Sequence, residues 1–204
     1  MKKKRVSLNI FSLDWLLVFS FTILFSIYPN DSSTSLEHSN TKLLEELGWK
    51  GLSLEIDANL VNKFNGLRVN KCFWQDATTA NYTELLQIFK FKNKIIDYLQ
   101  LDCEPAKNTF NALLNIPFEE YQFRVITYEH DYYCDETKSY RDKSRRYLQS
   151  MGYELVVSNV SSNDNTPFED WWVHPDLVDR EIINILKAND DSTKNAKKYI
   201  YNEL

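Results

Sequence analysis

Carboxylates follow directly on short apolar runs in this sequence. The clearest case is Ile95–Leu101, an apolar, β-prone run that stops at Asp102 and Glu104 and is followed by Pro105. Such a run is typical of a strand buried on both faces, and proline suits the first turn of a helix. Because unpaired charges are costly at the end of a buried strand, the two acids indicate either a helix cap or a binding site. The residues alone leave both interpretations open.

The same arrangement recurs after other strand-like runs. Glu55 and Asp57 end the run 49–57, Asp76 follows the run 67–73, and Glu129 follows the run 123–128. In an open α/β sheet, ligands bind outside the carboxyl ends of the strands. Right-handed crossovers bring those ends to one edge of the sheet, so we expect the acids to line a single polar cleft.

The elements that must position these acids alternate between strand and helix at least five times. The predicted strands are 21–27, 49–57, 67–73, 95–101, 123–128, 153–158 and 171–173, and the predicted helices are 43–47, 58–64, 82–90, 106–115, 138–150 and 176–187. This alternation predicts an α/β fold with a doubly wound, mostly parallel sheet. We expect one such domain over 21–187, after a basic and apolar N-terminal extension (1–20) and before a polar C-terminal tail (188–204).

The N-terminal region allows two interpretations. A basic start, MKKKR, precedes an apolar run of 14 residues at 15–28, as in a signal peptide or membrane anchor. That run is shorter than the roughly 20 residues that a spanning helix needs, and its Phe, Val, Ile and Thr content favours a strand. We predict 21–27 to be the first, central strand, with an anchor through 15–28 as the alternative.

Composition narrows the function classes. The net charge of −5 argues against a general nucleic-acid-binding protein, which would need a basic face. The cysteines Cys72, Cys103 and Cys134 show neither zinc-site spacing nor a disulfide framework, so we predict no metal site and a cytoplasmic location.

Three stretches occurring in order carry a family resemblance: SNTKLLEELGWKGLSLEID (39–57), IDYLQLDCEP (96–105) and VITYEHDYY (125–133). Together they resemble the FkbM-like methyltransferase family over about residues 29–175. The resemblance implies the Rossmann-like class I methyltransferase fold and S-adenosyl-L-methionine as cofactor. The implied reaction is O-methylation of a small molecule or a glycan.

The resemblance also implies site residues at the strand ends and at the head of the first helix. The cofactor-binding set is Asn30, Asp31, Asn40, Glu55, Asp76, Ala77 and Asp102. Within it, Glu55 would take the ribose hydroxyls, and Asp76 would accept from the adenine amino group. An acid-lined cleft suits the sulfonium cation of this cofactor.

An alcohol acceptor benefits from a base, and the candidates for catalysis are Glu104, Glu129 and His130. Two features depart from the family pattern. The run 26–31 contains no glycine where the family has a glycine loop, and Pro105 replaces the glycine after Glu104. A catalytically silent member of the fold that binds a ligand or a protein is therefore the alternative hypothesis.

Overall fold

The computed structural model describes residues 21–25, 41–88, 94–135, 138–162, 165–187 and 192–196. Within those ranges the chain forms eight strands and six helices. The strands are β1 Phe21–Phe25, β2 Lys50–Glu55, β3 Lys71–Trp74, β4 Ile95–Leu101, β5 Gln122–Glu129, β6 Glu154–Ser161, β7 Glu169–Val173 and β8 Lys194–Asn195. The helices are α1 Lys42–Glu46, α2 Ala58–Leu67, α3 Tyr82–Ile88, α4 Ala106–Asn115, α5 Tyr140–Ser150 and α6 Arg180–Leu186.

All eight strands belong to one sheet, in the order β3-β2-β1-β4-β5-β7-β6-β8. The strands β1 to β5 are parallel, and β7 runs antiparallel between β5 and β6. The order of the strands reverses between β1 and β4, which makes that position the topological switch point. The predicted doubly wound, mostly parallel α/β sheet is therefore confirmed, including the central place of its first strand.

Buried apolar side chains cover both faces of the sheet. One core cluster joins the central strands to α3, α4 and α5, and it includes the fully buried Leu99 and Trp172. A second cluster joins β6 to α6 and includes Trp171 and Val173. Since neighbouring residues of a strand point to opposite faces, the consecutive residues Trp171 to Val173 tie β7 into both clusters.

The bounds of β4 and α4 agree with the prediction, whereas the third strand begins later than the predicted Leu67. The reason is that α2 continues to Leu67, and the Arg68 backbone N–H still donates to the Phe64 carbonyl at the end of the helix. The side-chain amide of Asn65 then exchanges two hydrogen bonds of 2.8 and 2.9 Å with the backbone of Cys72. These bonds fix a short turn between α2 and β3.

The structure tests the predicted membrane segment and the predicted domain boundaries only in part. In the ranges that the structure covers, no helix is both long and apolar enough to cross a membrane. Residues 1–20 and most of the tail after 187 lie outside those ranges, so the domain boundaries stay predictions. Within the tail, Lys194–Asn195 pairs with the end of β6 as a two-residue parallel strand.

Candidate functional site

The acids after β4 do not cap the helix that follows them. Pro105 occupies the N-cap position of α4 and makes no side-chain hydrogen bond that caps the helix. The exit of β4 is instead fastened by Thr109, whose hydroxyl accepts from the Cys103 N–H at 3.0 Å and donates to the Cys103 carbonyl at 2.7 Å. The N-cap role predicted for Asp102 or Glu104 is therefore wrong, because Pro105 holds that position. The binding role of the two acids stays a prediction.

Asp102 and Glu129 lie next to each other at the carboxyl ends of the neighbouring parallel strands β4 and β5. Both are buried, with 6% and 4% of their surface exposed. Burial raises the pKa of Glu129 far above its usual range, and the negative charges of Asp102, Asp131 and Glu169 raise it further. This rise favours the protonated form of Glu129, which shares a hydrogen bond with Asp102.

The acids of β2 and β3 face the same region. Burial raises the pKa of the Cys103 thiol to about 12, and the charges of Asp102, Asp76 and Glu55 add to the rise. Three carboxylates from three different strand ends thus act on one thiol beside Asp102. Glu55, Asp76 and Asp102 lie at or just after the carboxyl ends of three parallel strands and so lie at one edge of the sheet. Asp57, which was expected there with them, instead caps α2, where its side chain accepts from two backbone N–H groups.

Glu55 and Asp76 are each held by hydrogen bonds within a local turn. Glu55 is buried, its Oε1 accepts from the Asp57 N–H at 2.7 Å, and burial raises its pKa. Asp76 Oδ1 accepts from both the backbone N–H and the hydroxyl of Thr78, each at 2.8 Å. The carbonyl of Ala77 accepts from the hydroxyl of Tyr82, which ties this turn to the first turn of α3. These bonds leave the acids at fixed positions on the rim of the sheet.

His130, predicted as a candidate base, is fully buried. Its Nδ1 accepts from the Tyr132 N–H at 3.1 Å, and its Nε2 lies 3.5 Å from Asp170 Oδ1. Glu104 differs from His130 and Glu129 because it is exposed at the rim, where partial burial and the charge of Asp131 raise its pKa. Of the three predicted catalytic residues, Glu104 is the one that solvent reaches.

The sequence did not point to the acids of β7. Glu169 pairs in register with Glu129, and Asp170 receives a bidentate ion pair from Arg145 at 2.7 and 2.9 Å. These two acids begin their strand instead of ending it, but β7 is antiparallel, so its amino end lies at the same edge of the sheet. The signal in the sequence that could have indicated them is the acidic pair directly before the apolar run WWV.

Asn30, Asp31 and Asn40 lie outside the described residues, so their predicted roles remain untested. In the part of the chain that the structure describes, no group of three or more His, Cys, Asp or Glu residues could hold a metal ion. The edge instead carries a row of carboxyl groups, of which Asp170 pairs with Arg145, and the exposed apolar side chains of Ile56 and Trp74 lie beside it.

The sheet order, with an antiparallel strand between β5 and β6 and acids at the switch point, defines the Rossmann-like class I methyltransferase fold. Among solved structures, the chain is similar to the Dnmt2 methyltransferase of S. pombe, with a TM-score of 0.50 and 12% identity over 89% of this chain. It spans 54% of that protein, about half of its length. An rRNA methylase from Streptococcus thermophilus aligns with a TM-score of 0.46 and 12% identity, over 79% of this chain and 92% of the methylase.

At these identities the likeness establishes the fold and nothing finer. No family model matches the chain, and no curated protein does.

Proposed function

We propose that this chain is an S-adenosyl-L-methionine-dependent methyltransferase of the FkbM-like type that methylates an oxygen of a small molecule or glycan. The observation that carries the proposal is the position of Glu55, Asp76 and Asp102. These acids come from strands on both sides of the switch point between β1 and β4, and their charges act on the same thiol. Ligands of open α/β sheets bind at that crevice.

Each described acid has a chemical task in this proposal. Glu55 accepts from the two ribose hydroxyls, Asp76 and Ala77 flank the adenine, and Asp102 lies beside the reacting end of the cofactor. The same assignment places Asn30 and Asp31 against the methionine part and Asn40 at the head of the next helix, as the family resemblance implies. When bound, the cofactor supplies an electrophilic methyl group on a positively charged sulfur.

Glu104 is the residue that we assign as base. It is exposed beside Asp102, and its raised pKa brings its proton affinity closer to the operating range than that of an ordinary carboxylate. Glu129 is buried and its raised pKa favours the protonated form, so we assign it as a hydrogen-bond partner of Asp102 and not as the base. Holding the acceptor in line next to the methyl group supplies the remaining part of the catalysis.

Calorimetric titration with S-adenosylhomocysteine tests the proposal. We expect measurable binding by the unsubstituted chain and an affinity about tenfold lower or worse for Glu55→Gln, because a hydrogen bond to a charged acceptor contributes about 1.5–3 kcal/mol. Glu154→Gln is the matched control, since Glu154 pairs with Arg180 and Lys187 instead of facing the acid edge. Absence of binding at millimolar ligand, or equal affinities for all three chains, would refute the cofactor site.

The second candidate function is a catalytically silent binding module of the same fold. It is favoured by the run 26–31, which has no glycine to let the backbone approach a ligand closely, and by Pro105 after Glu104. The same titration separates the two functions, because absence of binding at millimolar S-adenosylhomocysteine would count against the enzyme and in favour of the silent module.

We also propose a cytoplasmic location, which is supported by the pattern of cysteines in the sequence. Fractionation of a tagged chain tests it. Recovery with the membrane pellet after a salt wash would favour the anchor through 15–28 instead.

A further inference from the structure

The backbone at the exit of β5 is fastened to the start of β7. The N–H groups of His130 and Asp131 both donate to the carbonyl of Phe168, at 2.7 and 3.1 Å. Asp131 then adopts a left-handed conformation with φ of +48°, which turns the chain sharply after β5. A non-glycine residue holds that conformation only when its surroundings fix it. The segment 130–132 is therefore a constrained turn, which we call the β5 exit turn.

The imidazole of His130 closes this turn from the inside. Its Nδ1 accepts a hydrogen bond of 3.1 Å from the Tyr132 N–H, so the lone pair of Nδ1 is already used. In a neutral imidazole one nitrogen accepts and the other carries the proton, which places the proton of His130 on Nε2. Nε2 has no partner within hydrogen-bond geometry among the described residues, and the group it faces is Asp170 Oδ1 at 3.5 Å.

Asp170 is held in place mainly by groups other than the imidazole. Arg145 of α5 donates to both of its oxygens, and the Asn159 N–H donates to Oδ1 at 2.8 Å. The side-chain oxygen of Asn159 in turn accepts from Arg145 and Arg141, at 3.0 and 3.1 Å. The carboxylate that faces His130 is thus a fixed part of the fold and can orient the ring.

The outer side of the β5 exit turn is braced by α5. The guanidinium carbon of Arg141 lies 3.8 Å from the centre of the Tyr132 ring, within the range of a cation–π contact. The turn also joins the buried Glu129 to Asp131, whose charge acts on Glu104. The conformation of the turn therefore determines the positions of Glu129 and Asp131.

We propose that His130 is a positioning residue that fixes the β5 exit turn, with its Nδ1 accepting from the Tyr132 N–H and its Nε2–H directed at Asp170. On this proposal it does not exchange a proton with the acceptor. The site that the turn serves rests on the proposed function, but the state of the ring does not. Solvent exclusion of the whole side chain agrees with the assignment, because a base must reach the proton that it removes.

The nitrogen NMR spectrum of the histidine-labelled full chain tests the state of the ring. The sequence has three histidines, and the His130 signals are those lost in His130→Phe. We expect a pattern with an unprotonated Nδ1 and a slowly exchanging proton on Nε2. A proton on Nδ1, or ring nitrogens in fast exchange with water, would overturn the proposal. This experiment uses the unsubstituted chain for its main result and needs neither cofactor nor acceptor.

Amide hydrogen exchange tests the positioning. His130→Asn keeps an acceptor close to the Tyr132 N–H, whereas His130→Phe keeps the ring and removes both nitrogens. We expect the Tyr132 amide to exchange about five- to tenfold faster in His130→Phe and near the original rate in His130→Asn, as loss of one hydrogen bond implies. His174→Phe, in a histidine beyond the end of β7, should leave that amide unchanged. Equal Tyr132 protection in all four chains would show that the imidazole does not hold the turn.

A loss of S-adenosylhomocysteine binding by the unsubstituted chain would leave both experiments valid. The failure of this inference and the failure of the proposed function are therefore distinguishable.

Discussion

Glu169→Gln should make the protein more stable at neutral pH and above. Glu169 is buried in register with Glu129 at the acid edge, and the Trp171 indole N–H donates to its Oε1. Burial raises the pKa of Glu169 from 4.5 to about 7, and the charges of Asp102 and Asp170 contribute to the rise. Glutamine keeps an acceptor for the indole and removes the ionisation.

The sign of the effect follows from proton binding. Between about pH 4.5 and about pH 7 the folded chain holds the Glu169 proton, whereas the unfolded chain does not. The stabilisation from this group is therefore complete below the unfolded pKa and is lost as pH rises through the folded pKa. A shift of this size corresponds to about 3 kcal/mol of unfolding free energy, or roughly 6–12 °C in melting temperature for a domain of this length.

Urea unfolding followed by tryptophan fluorescence measures the difference between Glu169→Gln and the unsubstituted chain at several pH values. We expect the two chains to differ little near pH 4 and the variant to gain about 3 kcal/mol by about pH 8. Two chains that lose stability in parallel over this range would refute the assignment of a raised pKa to Glu169.

Three further outcomes follow from the structure. Glu154→Gln should show the opposite pH dependence, because hydrogen bonds from two basic side chains lower the pKa of Glu154. In urea titrations the variant should lose under about 1 kcal/mol of unfolding free energy at pH 7, as expected for a surface pair, and this loss should vanish as the pH falls to about 3. Arg145→Met removes the bidentate partner of the fully buried Asp170 and should lower the free energy of unfolding by about 3–5 kcal/mol. Adding Asp170→Asn should recover part of that loss. Gly66→Ala, in a helix with open space for a methyl group, should stabilise the protein by about 0.5–1 kcal/mol. Gly152→Ala, at a φ of +88°, should destabilise the protein by about 1 kcal/mol, and thermal unfolding of both variants measures the two effects.

The sheet could be predicted well where apolar runs end at strong signals. The run Ile95–Leu101 is bounded by acids and followed by a proline, and its strand and the next helix have the predicted bounds. The predicted start of the third strand was wrong, because the apolar residues Leu67 and Val69 lie before β3. Both side chains are exposed, at 67% and 85%, so apolar character there does not report burial.

The candidate site could be predicted on the parallel half of the sheet and not on the other half. Acids after parallel strands share one edge by the handedness of the crossovers, so Glu55, Asp102 and Glu129 could be grouped from their positions alone. Glu169 and Asp170 join the same edge because β7 runs in reverse, and a run of five residues carries no signal of its direction. Pairing with a partner strand decides that direction, and such pairing is not visible in the local sequence.

The central place of β1 has a consequence for synthesis on the ribosome. Thr22 pairs with Tyr98, so 76 residues must be added before the second neighbour of β1 exists. At about 5–20 residues per second this takes roughly 4–15 s, during which one row of β1 backbone groups has no strand beside it. Nascent chains that stop short of residue 95 therefore cannot complete the middle of their sheet, and they should be the ones that chaperones retain.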